Sequence, residues 1–111
     1  MDANNLAVLR GVVTSDPTVR ELPSGGTVTN VEVTTRGEGV TASVPVVVHD
    51  RSVGVSAGDE VVVVGHVHRR FFRAGGVTQS RTEVIATHLV PARRSRTVER
   101  AVAAAVALLA P

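Results

Sequence analysis

His66, His68, Arg70 and Phe72 recur at every second position, and they are the residues in this chain best able to do chemistry. Strand side chains alternate faces with period two. With no bulge, these four point one way and Val61, Val63 and Val67 the other. Two imidazoles at this spacing are half of a metal site. Zinc takes four ligands in a tetrahedron, and His49, Asp50 and His88 are available to complete it, but their spacing does not close the set. The same face also interleaves cations with a flat ring, which is what a single-stranded polynucleotide needs: charge for phosphates and a surface for a base. The plain alternative is a strand leaving a core with a wet outer face. Serine, histidine and aspartate occur without a nucleophile motif, and no carboxylates pair. Gly25-Gly26 and Gly75-Gly76 read as hairpin turns rather than nucleotide loops. An enzyme is not expected, and no cofactor or metal is implied.

The element that must position these residues begins at Gly58-Asp59, a turn signal. Val61, Val62, Val63 and Val64 follow, β-branched and suited to a pleated strand. Gly65 stands where a barrel strand would bend. Four further strands are expected. Residues 6–13 carry Gly11 near their middle, and residues 27–35 alternate Val31 and Val33 with Asn30, Glu32 and Thr34. Residues 40–48 contain Pro45, which places that strand at an edge or bulge. Residues 77–89 are richest in strand formers at 82–86. Residues 18–22 read as a short extended continuation between Pro17 and the turn Pro23-Ser24-Gly25-Gly26. Residues 49–57 are irregular. Five strands joined by Gly/Pro turns suit a small closed barrel, so the fold expected is all-β: a five-stranded barrel with a short C-terminal helical tail.

The 111 residues suffice for one domain with one core. There is no cysteine, which excludes disulfides and thiolate chemistry and fits a reducing compartment. The opening Met1-Asp2-Ala3-Asn4-Asn5 is not a signal peptide, and no apolar run reaches membrane-spanning length. A cytoplasmic protein without a membrane partner is expected. All 12 basic residues are arginine, which keeps its charge, forks onto phosphate and stacks on bases. A G+C-rich genome favours the same bias. Phe71 and Phe72 are the only rings besides histidine, so valine, leucine, isoleucine and alanine must build the core.

Pro91 closes the barrel, giving residues 1–91 as one domain and 92–111 as a basic, then alanine-rich tail. Arg93, Arg94, Arg96 and Arg100 cluster there. Residues 98–110 read as a helix with Thr97 as N-cap and Val98, Val102, Val106 and Leu109 on one stripe. So short a helix needs a surface to pack on, the barrel or another copy; a frayed terminus is the alternative.

With those strands placed, residues 4–89 resemble the bacterial single-stranded-DNA-binding protein family, whose fold is the OB barrel. The motifs are Asn5-Leu6-Ala7-Val8-Leu9-Arg10-Gly11, Asp16-Pro17-Thr18-Val19-Arg20, Ser24-Gly25-Gly26-Thr27-Val28, the run from Gly58 to Gly65, and Thr82-Glu83-Val84, in the family's order and spacing. The resemblance implies single-stranded DNA as partner, bound without sequence preference, self-assembly as a tetramer or dimer, and a role in replication, recombination or repair. Phe72 falls where the family has a stacking tryptophan, and Arg70 on a basic position before it. The family's other rings do not carry over: Arg36-Gly37-Glu38-Gly39 fills one loop, and Ser43, Val44 and His49 stand in the third strand. The acidic C-terminal tip that recruits replication proteins is replaced by residues 93–111, so that recruitment is not expected. The chain reads as a divergent paralogue. Its candidate DNA-binding residues are Phe72, Arg70, His68, His66, Arg36, Arg73, Arg81 and Phe71, with Arg69 a further phosphate holder. With few rings, binding is expected to be weaker and more salt-sensitive than the family norm. The competing reading is an OB-fold oligomerisation or interaction module, primosome-accessory-like, with little or no DNA binding.

Overall fold

The computed structural model describes residues 4–109. It contains β1 (Ala7–Val13), β2 (Thr18–Glu21), β3 (Thr27–Gly37), β4 (Val40–His49), β5 (Glu60–Ala74), β6 (Val77–Pro91) and α1 (Ser95–Leu109). The strand order is β1-β5-β6-β4-β3-β2, and β1 also pairs with β3. That extra pairing closes β1, β5, β6, β4 and β3 into a five-stranded barrel, an OB fold. β1 and β2 share one edge of β3. β2 takes its first half (Thr18↔Asn30 to Glu21↔Thr27) and β1 its second (Val12↔Thr34, Val13↔Val33). The stretch after Pro17 is therefore a strand in its own right, in line with β1 but separated from it by the Asp16-Pro17 punctuation.

Both faces of the valine run are buried. Val61 and Val63 point into the barrel with Val13, Val33, Val46 and Val48. Val62 and Val64 point outward and are covered by Ala101 and Ala105 of α1, with Val98 and Val102 beside them. A strand covered on both sides reads as a continuous apolar run, so four valines in sequence announce a second layer. The helix supplying it begins at Ser95, where the Val98 amide donates to the Arg94 carbonyl (3.0 Å). Thr97 thus lies inside the first turn and is not the N-cap. The packed stripe runs through the alanines, whose small side chains let the helix sit close to the sheet. Val106 and Leu109 remain exposed. Ala110, the helix end expected from sequence, lies outside the described residues.

Two glycines mark where strands come closest. A Cβ on Gly11 would strike the Thr34 carbonyl, where β1 closes onto β3, and one on Gly65 would strike the Ile85 carbonyl. Pro45 stands where β4 acquires its parallel neighbour: β6 pairs with β4 only at Val46↔Val84 and Val47↔Ile85. Residues 50–57 carry no regular element, yet Val55 is buried in the barrel core and Val53 packs against it.

Between Val64↔His88 and Gly65↔Ala86 the β5–β6 register shifts, leaving Thr87 unpaired. Its hydroxyl donates to the Val64 carbonyl at 3.0 Å, and its own carbonyl accepts from Arg51. The extra residue is on β6, so the alternation along β5 continues unbroken through Phe72. Past Gly65, β5 loses β1 as a neighbour. Asn5 extends the ladder one step with its side chain, accepting from the Val67 amide (3.0 Å) and donating to the Val67 carbonyl (2.8 Å). Beyond that, residues 68–82 form a two-stranded arm, turned by Gly75 (φ 60°) and Gly76 (φ 79°).

Candidate nucleic-acid interface

Registers place one outward face across five strands. Opposed residues share a face, so Thr18 on β2 leads to Asn30 on β3, Val47 on β4, Ile85 on β6 and His66 on β5. One step along lie Arg20, Val28 and His49. On the arm, His68 faces Glu83, Arg70 faces Arg81, and Phe72 faces Gln79. The surface is hollowed in two places. A cleft of about 460 Å3 is lined by Arg20, Asn30, Arg70 and Arg81, with Asp16 and Glu32 at its margin. A smaller one of about 190 Å3 is lined by Arg20, Val47, His49, His68 and Glu83. Arg20, Asn30 and Arg70 border both, so the two form one groove from β2 to β5.

At the β5 end the side chains lock together. The Arg70 guanidinium lies 5.0 Å from the Phe72 ring centroid. Arg70 Nε is 3.6 Å from Glu83 Oε1, and His68 Nδ1 is 3.6 Å from Glu83 Oε2. Glu83 is 5 % exposed. A carboxylate so buried is tolerated because two potential cations flank it. Arg81 completes the cluster directly opposite Arg70, a like-charge pairing that Glu83 offsets.

Of the residues expected from sequence, His66, His68, Arg70, Phe72 and Arg81 are brought together on this face. Phe71 and Arg73 are not: alternation turns them to the opposite face of the arm. There Arg69 caps Phe71 at 5.5 Å and donates to Ser80 Oγ (2.9 Å), while Arg73 donates to the Gly76 carbonyl (2.8 Å). Arg36 is elsewhere again. It lines a separate hollow of about 530 Å3 beside β1 with Arg10, Val12, Thr34 and Glu60, where Arg10 and Glu60 are paired at 2.6 Å. Among the described residues, no group of three or more histidine, aspartate or glutamate side chains gathers to hold a metal, so the His66–His68 pair gains no completing ligands from His49, Asp50 or His88.

Arg20, Asn30 and Glu83 join the groove without having been singled out from sequence. Glu83 had a usable signal. Counting back from the two-residue turn Gly75-Gly76 puts it opposite His68. Arg20 closes the Asp16-Pro17-Thr18-Val19-Arg20 motif, but its face depends on the β2–β3 register.

The model of the single-strand binding protein family matches residues 4–91 of this chain. The chain belongs to that family. A solved structure of Plasmodium falciparum SSB in complex with ssDNA shares the family fold with a TM-score of 0.69 at 21 % identity, covering 82 % of this chain and 97 % of that one. No curated protein matches. The family's match ends at Pro91, so the helix that covers Val62 and Val64 lies outside it.

Proposed function

We propose that this single-strand binding protein family member is a non-enzymatic binder of single-stranded DNA that lays the strand along the groove from Arg20 to Arg70. Arginines take the phosphates, and stacking is limited to the Phe72 end. One observation carries this reading: Arg20, Arg70, Arg81 and His68 come from three strands yet line one groove, with His66 and Phe72 on the same outward face of β5. Phosphate-directed arginines are indifferent to sequence, so a preference among bases is not expected. The role that follows is protection of exposed single strands in replication, recombination or repair, in the cytoplasm, by an oligomer of two or four copies. Titration of oligo(dT) at two salt concentrations tests it: binding that weakens steeply with salt supports the reading, and an affinity equal at both counts against it.

A second reading, the OB-fold interaction module, draws on a different surface. β1 exposes Val8 and Val12 (45 % and 41 %), and α1 exposes Val106, Leu108 and Leu109. A protein that self-associates through these but leaves oligo(dT) unshifted in a low-salt gel is such a module.

A further inference from the structure

Glu83 is out of place in a phosphate-binding groove. It is the buried acid in the cluster, and it lies against two of the groove's own candidate cations, Arg70 and His68, each at 3.6 Å. Those partners are only partly covered, their side chains 40 % and 49 % exposed, so a polynucleotide can reach them while the carboxylate stays beneath. A carboxylate and a phosphate offer arginine the same thing, a planar or tetrahedral set of anionic oxygens that its N–H groups can satisfy.

We propose that Glu83 is a built-in counter-anion that occupies Arg70 and His68 in the free protein and yields them to DNA phosphate on binding, so that it lowers affinity while stabilising the fold. This deepens the DNA-binding reading and rests on it. The stabilising half follows from the neighbours. Without a carboxylate, Arg70 and Arg81 stand opposite one another with nothing to offset their repulsion. The affinity-lowering half follows from exchange. Each phosphate that takes Arg70 must displace an attraction already present, and part of the patch's positive charge is neutralised before DNA arrives. The two effects have opposite signs, which separates this role from a purely structural one. A residue needed only for the fold loses stability and affinity together when replaced.

The test compares wild type with Glu83→Gln, nearly the same shape without the charge, by titration with oligo(dT) over a series of salt concentrations. The expected result is a less stable protein that binds several-fold more tightly at low salt. Its log–log salt slope should steepen by about 0.7, the value for one further single-strand phosphate contact. The gain should largely vanish in the Arg70→Gln background. A wild type that binds with E83Q equal to it in affinity and slope, or weaker with the same slope, overturns this inference alone. Failure of both proteins to bind overturns the DNA-binding reading with it. Wild-type protein supplies a measurement free of any folding defect: the Glu83 carboxyl carbon resonance should move on saturation with oligo(dT), and a resonance that stays fixed while the protein is saturated overturns the exchange.

Discussion

The Arg70 guanidinium carbon stands over the Phe72 ring, 5.0 Å from its centroid, while its Nε lies 3.6 Å from Glu83. One face of the ring is therefore already covered. Arg70 and Phe72 form a two-layer stack, cation on aromatic, held from below by a buried carboxylate. Both layers have planar surfaces, and guanidinium planes as well as rings accept bases. A base meeting this end of the groove meets the stack as a unit, and the contribution of Phe72 includes holding Arg70 in place.

Replacing the two rings one at a time distinguishes the faces of the arm. Phe72→Ala should cost about 1–3 kcal/mol of oligo(dT) affinity, the usual worth of one aromatic stack. Phe71→Ala removes the more exposed ring, 66 % accessible, yet it lies on the face turned away from the groove and should change affinity by no more than about 0.5 kcal/mol, as for a surface site remote from the contact. Fluorescence anisotropy of labelled oligo(dT) with the two variants checks this. The opposite ranking places the strand on the Arg69 face.

The barrel was legible because its signals are local and mutually consistent: valine runs, glycine where strands close, and Gly/Pro turns between them. The face of β5 was legible too, since alternation needs only the strand. Three things were not. The valine run announces that β5 is covered twice but not by what: the element that covers Val62 and Val64 is far away in sequence, and only the fold shows it to be α1. The sides of Phe71 and Arg73 follow from that same alternation, but the place of Arg36 does not: it depends on how β3 closes onto β1, which charge alone does not reveal. The groove's near wall, Arg20 and Asn30, depends on pairing between β2 and β3. β2 has four residues, all exposed, so it has no apolar face to reveal its orientation.

Gly65 is fixed by close approach rather than by backbone conformation. Gly65→Ala puts a methyl group against the Ile85 carbonyl, beside the bulge at Thr87. Backbone cannot move aside as a flexible side chain does, so the cost should reach about 1–3 kcal/mol or more, as for an overpacked core. Urea denaturation measures it. Gly37→Ala, where a Cβ would meet nothing within 4 Å, is the matched control and should cost well under about 1 kcal/mol.

The helix is expected to hold the outer layer of the barrel. Ala105 is buried against Val62 and Val64, so Ala105→Asp must either bury an unpaired charge or lift α1 off the sheet. Both leave apolar surface or charge uncompensated, and the loss should be about 2 kcal/mol or more in denaturant titrations. Ala104→Asp, on the exposed side of the same helix, should be tolerated. If both variants are equally stable, α1 does not cover the valines.

The number of phosphates held can be counted from salt dependence, and the geometry says which arginines should count. For a single strand the log–log slope of affinity against salt changes by about 0.7 per phosphate contact. Arg20 lies at one end of the groove and Arg81 at the other, opposite Arg70. Arg20→Gln and Arg81→Gln should each weaken binding and each flatten the slope by about 0.7. Holding separate phosphates from β2 and β6, they should flatten it together by about twice that. Arg36 shares its charge type and its exposure but lines the separate hollow beside β1, so Arg36→Gln should leave the slope where it was. The comparison does not depend on absolute affinity, which oligomerisation would also change, because each variant alters one charge on an otherwise identical assembly. A flattened slope for Arg36→Gln with none for Arg20→Gln would move the DNA track from the β2–β5 groove to the β1–β3 side of the barrel.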